Sequence, residues 1–217
     1  MRIFVDDRSN SNYDSIMRKV MTTESSEVRD NIVAVGQLTM SAKGFSAVGL
    51  NEILTTAGVP KGSFYYYFAS KDAFGVALLE KYFEDYLAEI DATFQQDGKT
   101  MAQGLLQYFD RWRTNQLDGD CHGKCLVVKL GAEVADLSEP MRLALKQGTS
   151  GIVERLANAI ERGVLEGSLR IGSQPELVAE SLYQLWLGAS VMTKITRDAS
   201  PFDAAMRTTQ EMLHLSP

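Results

Sequence analysis

The sequence has few of the residues from which metal and catalytic sites are built. Its 217 residues include only two cysteines and two histidines. Cys121, His122 and Cys125 lie close together, but a tetrahedral metal site needs a fourth ligand, and the other histidine is the distant His214. The sequence also contains no phosphate loop, catalytic triad or dinucleotide-binding fingerprint. We therefore predict no metal, no cofactor and no enzyme activity, with a helical thiol or metal enzyme as the alternative from another functional class.

Long apolar runs are absent as well. No uninterrupted apolar stretch is long enough to span a membrane, so we predict no membrane contact. The first 20 residues are polar and mixed in charge, unlike a secretory signal peptide. We therefore expect the chain in the cytoplasm, where its cysteines would stay reduced.

The chain also lacks an excess of positive charge. Its formal net charge is −6, which does not by itself indicate a nucleic-acid-binding protein. The charge is uneven, however, because residues 24–71 hold four basic and four acidic residues and are therefore neutral. Any nucleic-acid binding by this segment would depend on local contacts, and on two such segments acting together, rather than on attraction by the whole molecule.

Proline is scarce, and its positions are typical of helix starts. Pro60, Pro140, Pro175 and Pro201 each stand at the beginning of a segment whose apolar residues have helical spacing. No segment has the alternating pattern of a half-buried strand. The sequence therefore predicts an all-α protein, with a three-helix head that contains a helix-turn-helix and a body of about six helices.

The helix-turn-helix is predicted between Leu50 and Tyr67. Apolar residues at helical spacing run from Leu50 to Ala57, and Gly58 ends this helix because glycine adopts the left-handed conformation without steric cost. A second short helix follows Pro60, and two short helices joined by a brief glycine-containing turn form the helix-turn-helix pattern. The second helix carries three consecutive tyrosines, which suits contact with DNA bases and phosphates better than a bare surface.

The run GVPKGSFYYYFASK at residues 58–71 closely resembles the signature of TetR-type transcriptional regulators. The resemblance extends over roughly residues 25–215. It implies a homodimer whose two heads bind a palindromic, double-stranded operator, with half-sites about 34 Å apart, and whose body responds to a small-molecule inducer. On this basis we predict a flexible tail at residues 1–23, a DNA-binding domain at residues 24–71, and a sensing and dimerisation domain at residues 72–217.

The resemblance assigns the DNA-facing residues by their positions in the motif. Lys71 follows the second helix, where its ammonium and nearby backbone N–H groups could hold a phosphate. Tyr67 and Phe68 are expected in the core of the head. The predicted DNA-binding residues are Asn51, Lys61, Gly62, Ser63, Tyr65, Tyr66 and Lys71.

The dimer surface is predicted at the two C-terminal helices, roughly residues 174–197 and 201–215. Two helices from each subunit would form a four-helix bundle. Their methionines and Trp186 suit the apolar core of an interface, although part of this face could instead pack inside the monomer.

Cys125 is the candidate sensor. It opens an apolar helix in the run GKCLVVKLGAEVADLSEPMR, which resembles a subgroup of TetR-type repressors that respond to reactive electrophiles and oxidants, and the segment around Lys194 resembles the same subgroup. A thiolate at a helix N-terminus is stabilised by the helix field. Three alternatives stay open: a buried and inert Cys125, a disulfide between Cys121 and Cys125, and an inducer held non-covalently in the body.

Overall fold

The fold was examined in a computed structural model that describes residues 8–121 and 125–214, with side chains for residues 26–117 and 125–214. Every regular element in these ranges is helical, and the all-α prediction is confirmed. In chain order the helices are α1 (Arg8–Lys43), α2 (Leu50–Ala57), α3 (Lys61–Tyr67), α4 (Lys71–Phe94), α5 (Met101–Cys121), α6 (Leu126–Leu137), α7 (Glu139–Leu165), α8 (Pro175–Thr196) and α9 (Ser200–Met212).

The head consists of α1, α2 and α3. Gly58 ends α2 with a φ of 69°, and its backbone N–H donates to the last turn of that helix, as the sequence predicts for a glycine cap. The apolar residues of α2 and α3 turn inward, with Ile53 and Phe64 fully buried. Phe64 packs edge-on against Phe74 of α4 at 5.6 Å between ring centroids. The first turn of α4 therefore contributes to the core of the head.

The first helix begins earlier than the sequence predicts. Residues 1–23 were expected to form a loose tail, but α1 already runs from Arg8, so residues 8–23 are helical. The physical reason is that neither glycine nor proline occurs between Arg8 and Val35, and a helix once nucleated extends at little cost. The remainder of the predicted tail, residues 1–7, lies outside the described residues.

Two segments in the middle of the chain differ from what their sequences indicate. The run DGDCHG at residues 118–123 is typical of a loop, but α5 continues to Cys121. The apolar composition of the segment after Cys125 predicts deep burial, yet only Leu126, Leu130 and Val134 on one face of α6 are buried. The other residues of α6 are partly or fully exposed.

The body is built around aromatic side chains. Trp186 of α8 is fully buried, stacks on Phe109 of α5 at 4.7 Å between ring centroids, and donates its indole N–H to the Thr209 hydroxyl of α9. The prediction that Trp186 belongs to a dimer interface is therefore wrong, because its ring is used to pack α8 against α5 and α9.

The packing of α4 against α7 depends on a glycine. The ring of Phe83 on α4 fills a notch left by Gly148 on α7, where a Cβ atom would lie 2.1 Å from the ring. Within the part of the chain that the structure describes, no helix is both long and apolar enough to cross a membrane.

Candidate nucleic-acid interface and cysteine cavity

The second helix of the helix-turn-helix divides its aromatic residues between two faces. Phe64 and Phe68 are buried and pack against each other at 5.3 Å between ring centroids, which fixes the helix to the head. Tyr65 and Tyr66 point outward and are 61% and 77% exposed. Tyr67 lies between the two faces and is partly buried. The helix is therefore held rigidly while it presents two large aromatic side chains to solvent.

The other predicted DNA-facing residues of α2 and α3 are also accessible to solvent. Lys61 and Gly62, in the first turn of α3, are exposed, and Ser63 is partly exposed. Asn51, in the first turn of α2, is also exposed. The structure therefore leaves these polar groups available for a partner, as a surface that contacts phosphates and base edges requires.

Lys71 is placed differently from the other candidates. Its ammonium donates a hydrogen bond to the carbonyl of Phe45 at 2.8 Å and lies 4.6 Å from the centroid of the Phe45 ring. One of its three N–H donors is therefore used inside the head. No sequence pattern predicts this contact, because the acceptor is a backbone carbonyl in the turn between α1 and α2.

Cys125 lies in the body at a cavity of about 210 Å³. The residue is the N-cap of α6 and has a partly accessible side chain with a free thiol. The hydroxyl of Tyr82 donates to its Sγ atom at 3.7 Å. The cavity is lined by Tyr82, Tyr86, Glu89, Trp112, Asn115, Gln116 and Cys125.

The surroundings of the thiol act on its pKa in opposite directions. Burial raises the pKa of Cys125 above its ordinary value of 9.0, and this effect prevails. The backbone N–H groups at the start of α6, the Tyr82 hydroxyl and the positive charge of Lys194 all lower it. The sequence predicted a stabilised thiolate, and that expectation is wrong in its net direction, because the helix field and the cation are both present but burial outweighs them.

Lys194 and Cys121 differ in what can be said of them. Lys194 stands in the last turn of α8, and its charge reaches the thiol of Cys125 although the two residues are far apart in sequence. The structure thus brings these two candidates into one electrostatic environment. The side chain of Cys121 lies outside the described residues, so the disulfide alternative stays a prediction.

The sequence analysis missed the tyrosines around this cavity. Tyr86 and Tyr108 share a hydrogen bond of 3.1 Å between their hydroxyls, and Tyr82 stacks on Tyr86 with centroids 5.9 Å apart. Burial raises the pKa of Tyr82, Tyr86 and Tyr108, so all three are neutral donors. Tyr82 and Tyr86 lie four residues apart on α4, but Tyr108 comes from α5, so only the fold reveals that the three lie together.

Two buried polar atoms in this region lack a partner among the described residues. One is Oε1 of Gln116, a residue that lines the cavity and is only 4% exposed. The other is the hydroxyl of Tyr183, whose ring packs against Trp112 at 5.7 Å between centroids. Leaving such atoms without a hydrogen bond costs free energy, so they indicate a place where a bound molecule or water completes the network. A second, more open groove of about 760 Å³ lies between α7 and α8.

Comparison with known protein families assigns both halves of the chain. Residues 32–78 match the family model described as bacterial regulatory proteins of the tetR family. Residues 102–209 match the model described as a tetracyclin repressor-like C-terminal domain. The first match covers the end of α1, all of α2 and α3 and the start of α4, and the second runs from α5 into α9.

Individual relatives agree with these models. The chain is 38% identical over 180 residues to the HTH-type transcriptional repressor NemR of Escherichia coli strain K12, covering 83% of this chain and 90% of that protein. It is 32% identical over 186 residues to the HTH-type transcriptional repressor DhaR of Mycobacterium sp. strain GP1, covering 86% and 92%. The crystal structure of reduced E. coli NemR superposes with a TM-score of 0.82, over 86% of this chain and 97% of that one.

Proposed function

Because the chain belongs to the TetR family of transcriptional regulators, we propose that it represses transcription as a homodimer on a palindromic operator and is released when Cys125 is modified. The observation that carries the DNA-binding part is the exposed pair Tyr65 and Tyr66 on a helix anchored by buried Phe64 and Phe68. The observation that carries the sensing part is the position of Cys125 at the start of α6, beside a cavity and within the field of Lys194.

Each head would place α3 in a major groove. The rings of Tyr65 and Tyr66 would contact base edges and thymine methyl groups, while Lys61 and Ser63 would contact phosphates. If each head neutralises about three or four phosphates, the logarithm of dimer affinity falls with the logarithm of salt concentration with a slope near −6. Two heads are needed because a single short helix contacts too few base pairs to select one site in a genome.

The homodimer would form through the outward face of α8. Leu177, Val191, Met192 and Ile195 lie on this helix and are 45–67% exposed, which is unusual for large apolar side chains in a monomer. They recur at helical spacing along one side of α8, opposite the side that holds Trp186. Pairing this face with that of a second subunit would bury it and fix the distance between the two heads.

Sensing would begin at the thiol. With N-ethylmaleimide, the Cys125 thiolate adds to the carbon–carbon double bond, a C–S bond forms, and the neighbouring carbon takes a proton from water. Lys194 and the N–H groups of α6 would stabilise the thiolate before attack. The adduct must then occupy the cavity of about 210 Å³, so the helices around it repack and the body favours a state with a different head separation.

The test measures operator binding by fluorescence anisotropy before and after treatment with N-ethylmaleimide. We expect the wild-type affinity to fall by about a hundredfold, which requires only about 2.7 kcal/mol of difference between the two states. Cys125→Ser should bind the operator normally and not respond, whereas the matched control Cys121→Ser should respond like wild type. Release that persists in Cys125→Ser excludes Cys125 as the sensor.

A non-covalent inducer is the second candidate. Unpartnered Gln116 Oε1 favours it, because a small aromatic molecule with a hydrogen-bond donor would pair with this atom beside the rings of Tyr82 and Tyr86. In that case a thiol reagent leaves wild type on its operator, and Gln116→Leu changes the response to the inducer while Cys125→Ser does not.

A further inference from the structure

One carboxylate of the body forms two hydrogen bonds to the head. Glu133 of α6 accepts hydrogen bonds from two consecutive backbone N–H groups in the turn between α1 and α2: Oε2 from Phe45 at 3.1 Å and Oε1 from Ser46 at 2.7 Å. Glu133 is separated from Phe45 by 88 positions in sequence and from Ser46 by 87. Hydrogen bonds to an ionised acceptor are stronger than neutral ones, so this pair is a directional link between two parts of the molecule.

The turn that Glu133 holds is shaped to receive it. Gly44 precedes Phe45 with a φ of 94°, a conformation that glycine adopts far more readily than other residues. A Cβ atom at position 44 would lie 3.0 Å from Oε2 of Glu133. Both the backbone conformation and the available space at this position therefore favour a residue without a side chain.

Phe45 is also held by a residue of α4, the helix that comes after α3, which is the proposed reading helix. Its N–H is bound by Glu133, while its carbonyl accepts from the ammonium of Lys71, the first residue of α4. Its own ring is 5% exposed in the core of the head. The peptide unit between Phe45 and Ser46 binds Glu133 through its N–H and Lys71 through its carbonyl. A displacement of Glu133 would thus reach the first residue of α4, four residues after the end of α3.

The same helix starts at the cysteine. Cys125 is the N-cap of α6, and Glu133 lies eight residues further along. At a rise of 1.5 Å per residue the two are about 12 Å apart along a helix that moves as a unit. Leu126, Leu130 and Val134 keep one face of this helix against the body, so a change at its N-terminus is resisted by packing except along the exposed side.

Burial raises the pKa of the Glu133 carboxyl, but the hydrogen bonds from Ser46 and Phe45 and the charge of Lys71 outweigh it and hold the pKa below 4.5. The carboxylate is therefore ionised whenever the protein is near neutral pH. The other acidic residue of α6, Asp136, lies about one turn further along the helix and is exposed. It provides a matched control for any effect of charge on this element.

We propose that Glu133 is the positioning residue through which a change at the start of α6 is transmitted to the reading helix. This inference rests on the proposed function, since it assigns the route by which modification of Cys125 would move the head. It also makes α6 the coupling element in place of α4, whose tilt is the other available route.

The test compares wild type with Glu133→Gln, Glu133→Asp and Asp136→Asn. Gln keeps the shape but turns one acceptor into a donor that faces an N–H group, and Asp keeps the charge but is too short to reach both groups. Operator affinity is measured by anisotropy with and without N-ethylmaleimide, and alkylation of Cys125 is verified by mass spectrometry. Amide hydrogen exchange at Phe45 and Ser46 reports the link itself, which a merely structural role of Glu133 in the body would leave unchanged.

For both Glu133 variants we expect faster exchange at Phe45 and Ser46, and operator binding about tenfold weaker than wild type. Alkylation of Cys125 should then weaken binding by less than about threefold, against about a hundredfold in wild type. Asp136→Asn should match wild type in every measurement. Equal melting temperatures and dimer formation establish that the variants are folded.

Failure of the inference and failure of the proposed function give different results. If alkylation releases wild type and the Glu133 variants equally, the inference is overturned while cysteine sensing stands. If alkylation does not release wild type, cysteine sensing fails, and the unmodified proteins decide the role of Glu133. In that case, wild-type operator affinity together with wild-type amide exchange in Glu133→Gln overturns it.

Discussion

The two groups of tyrosines in this protein have opposite environments. Tyr65 and Tyr66 of the head are largely exposed, whereas Tyr82, Tyr86 and Tyr108 of the body are partly or fully buried. The hydroxyl of Tyr82 is hydrogen-bonded to Cys125, and those of Tyr86 and Tyr108 are hydrogen-bonded to each other. In the head the neighbours of the tyrosines are buried phenylalanines, so the phenolic rings are free for a partner. In the body the hydroxyls serve as neutral donors beside a thiol. The same side chain is therefore presented to solvent in one region and lies beside an internal cavity in the other.

The largest expected effect is on the packing of the body. Replacing Trp186 by Ala removes a fully buried ring and its hydrogen bond to Thr209, which should lower the free energy of unfolding by about 3–5 kcal/mol. Urea denaturation followed by circular dichroism measures this. The control Leu165→Ala alters a side chain that is 81% exposed and should change stability by less than about 0.5 kcal/mol. A Trp186 variant as stable as the control would contradict the assignment of Trp186 to the monomer core.

The next effect is on DNA binding and leaves stability intact. The double substitution Tyr65→Ala and Tyr66→Ala should weaken operator binding by about a hundredfold or more, because each dimer loses four base-contacting rings. Anisotropy titration measures the affinity. The melting temperature should not fall, since both side chains are exposed.

Leu165→Ala again provides the comparison, because it removes an exposed apolar side chain from the body. If the double tyrosine variant binds the operator as tightly as this control, the exposed face of α3 is not the reading surface.

The smallest effect concerns the rate at which Cys125 reacts. Only the thiolate attacks, and burial places the thiol pKa above 9.0, so the alkylation rate should keep rising as the pH passes 9. Tyr82→Phe removes a donor that favours the thiolate, and should raise the pKa further and slow alkylation at pH 8 by about threefold. Stopped-flow measurement across pH 7–10 tests this, with Tyr66→Phe as the exposed control. An alkylation rate that levels off below pH 8 would contradict the raised pKa.

The head could be predicted from sequence in more detail than the body. Its glycine cap, short helices and exposed tyrosines follow from residues within one local motif, where spacing alone decides which side chain faces inward. The tyrosines at the cavity come from α4 and α5, and Tyr183 from α8, so only the packing of distant helices assembles them. Glu133 was missed for another reason: its partners are backbone N–H groups, which have no residue-specific pattern.

Other differences have equally local causes. The start of α1 was placed too late because Thr23 resembles a helix N-cap, although nothing upstream of it breaks a helix. Trp186 was assigned to an interface because a helix pattern identifies an apolar stripe but not whether the same chain or a second copy covers it. The position of the boundary between head and body at residue 71 stays a prediction, and Phe74 just beyond it packs into the head core.

The notch at Gly148 has a consequence for anyone who recombines regulators of this kind. The ring of Phe83 on α4 occupies the space beside Gly148 on α7, and this contact prevents α4 from sliding along α7. A hybrid that joins this head to a foreign body at Lys71 takes neither Phe83 nor Gly148 from this chain. A junction inside α4 beyond Phe83 would carry Phe83 without Gly148, so the foreign α7 would need glycine at the facing position, or α7 would have to be transferred as well.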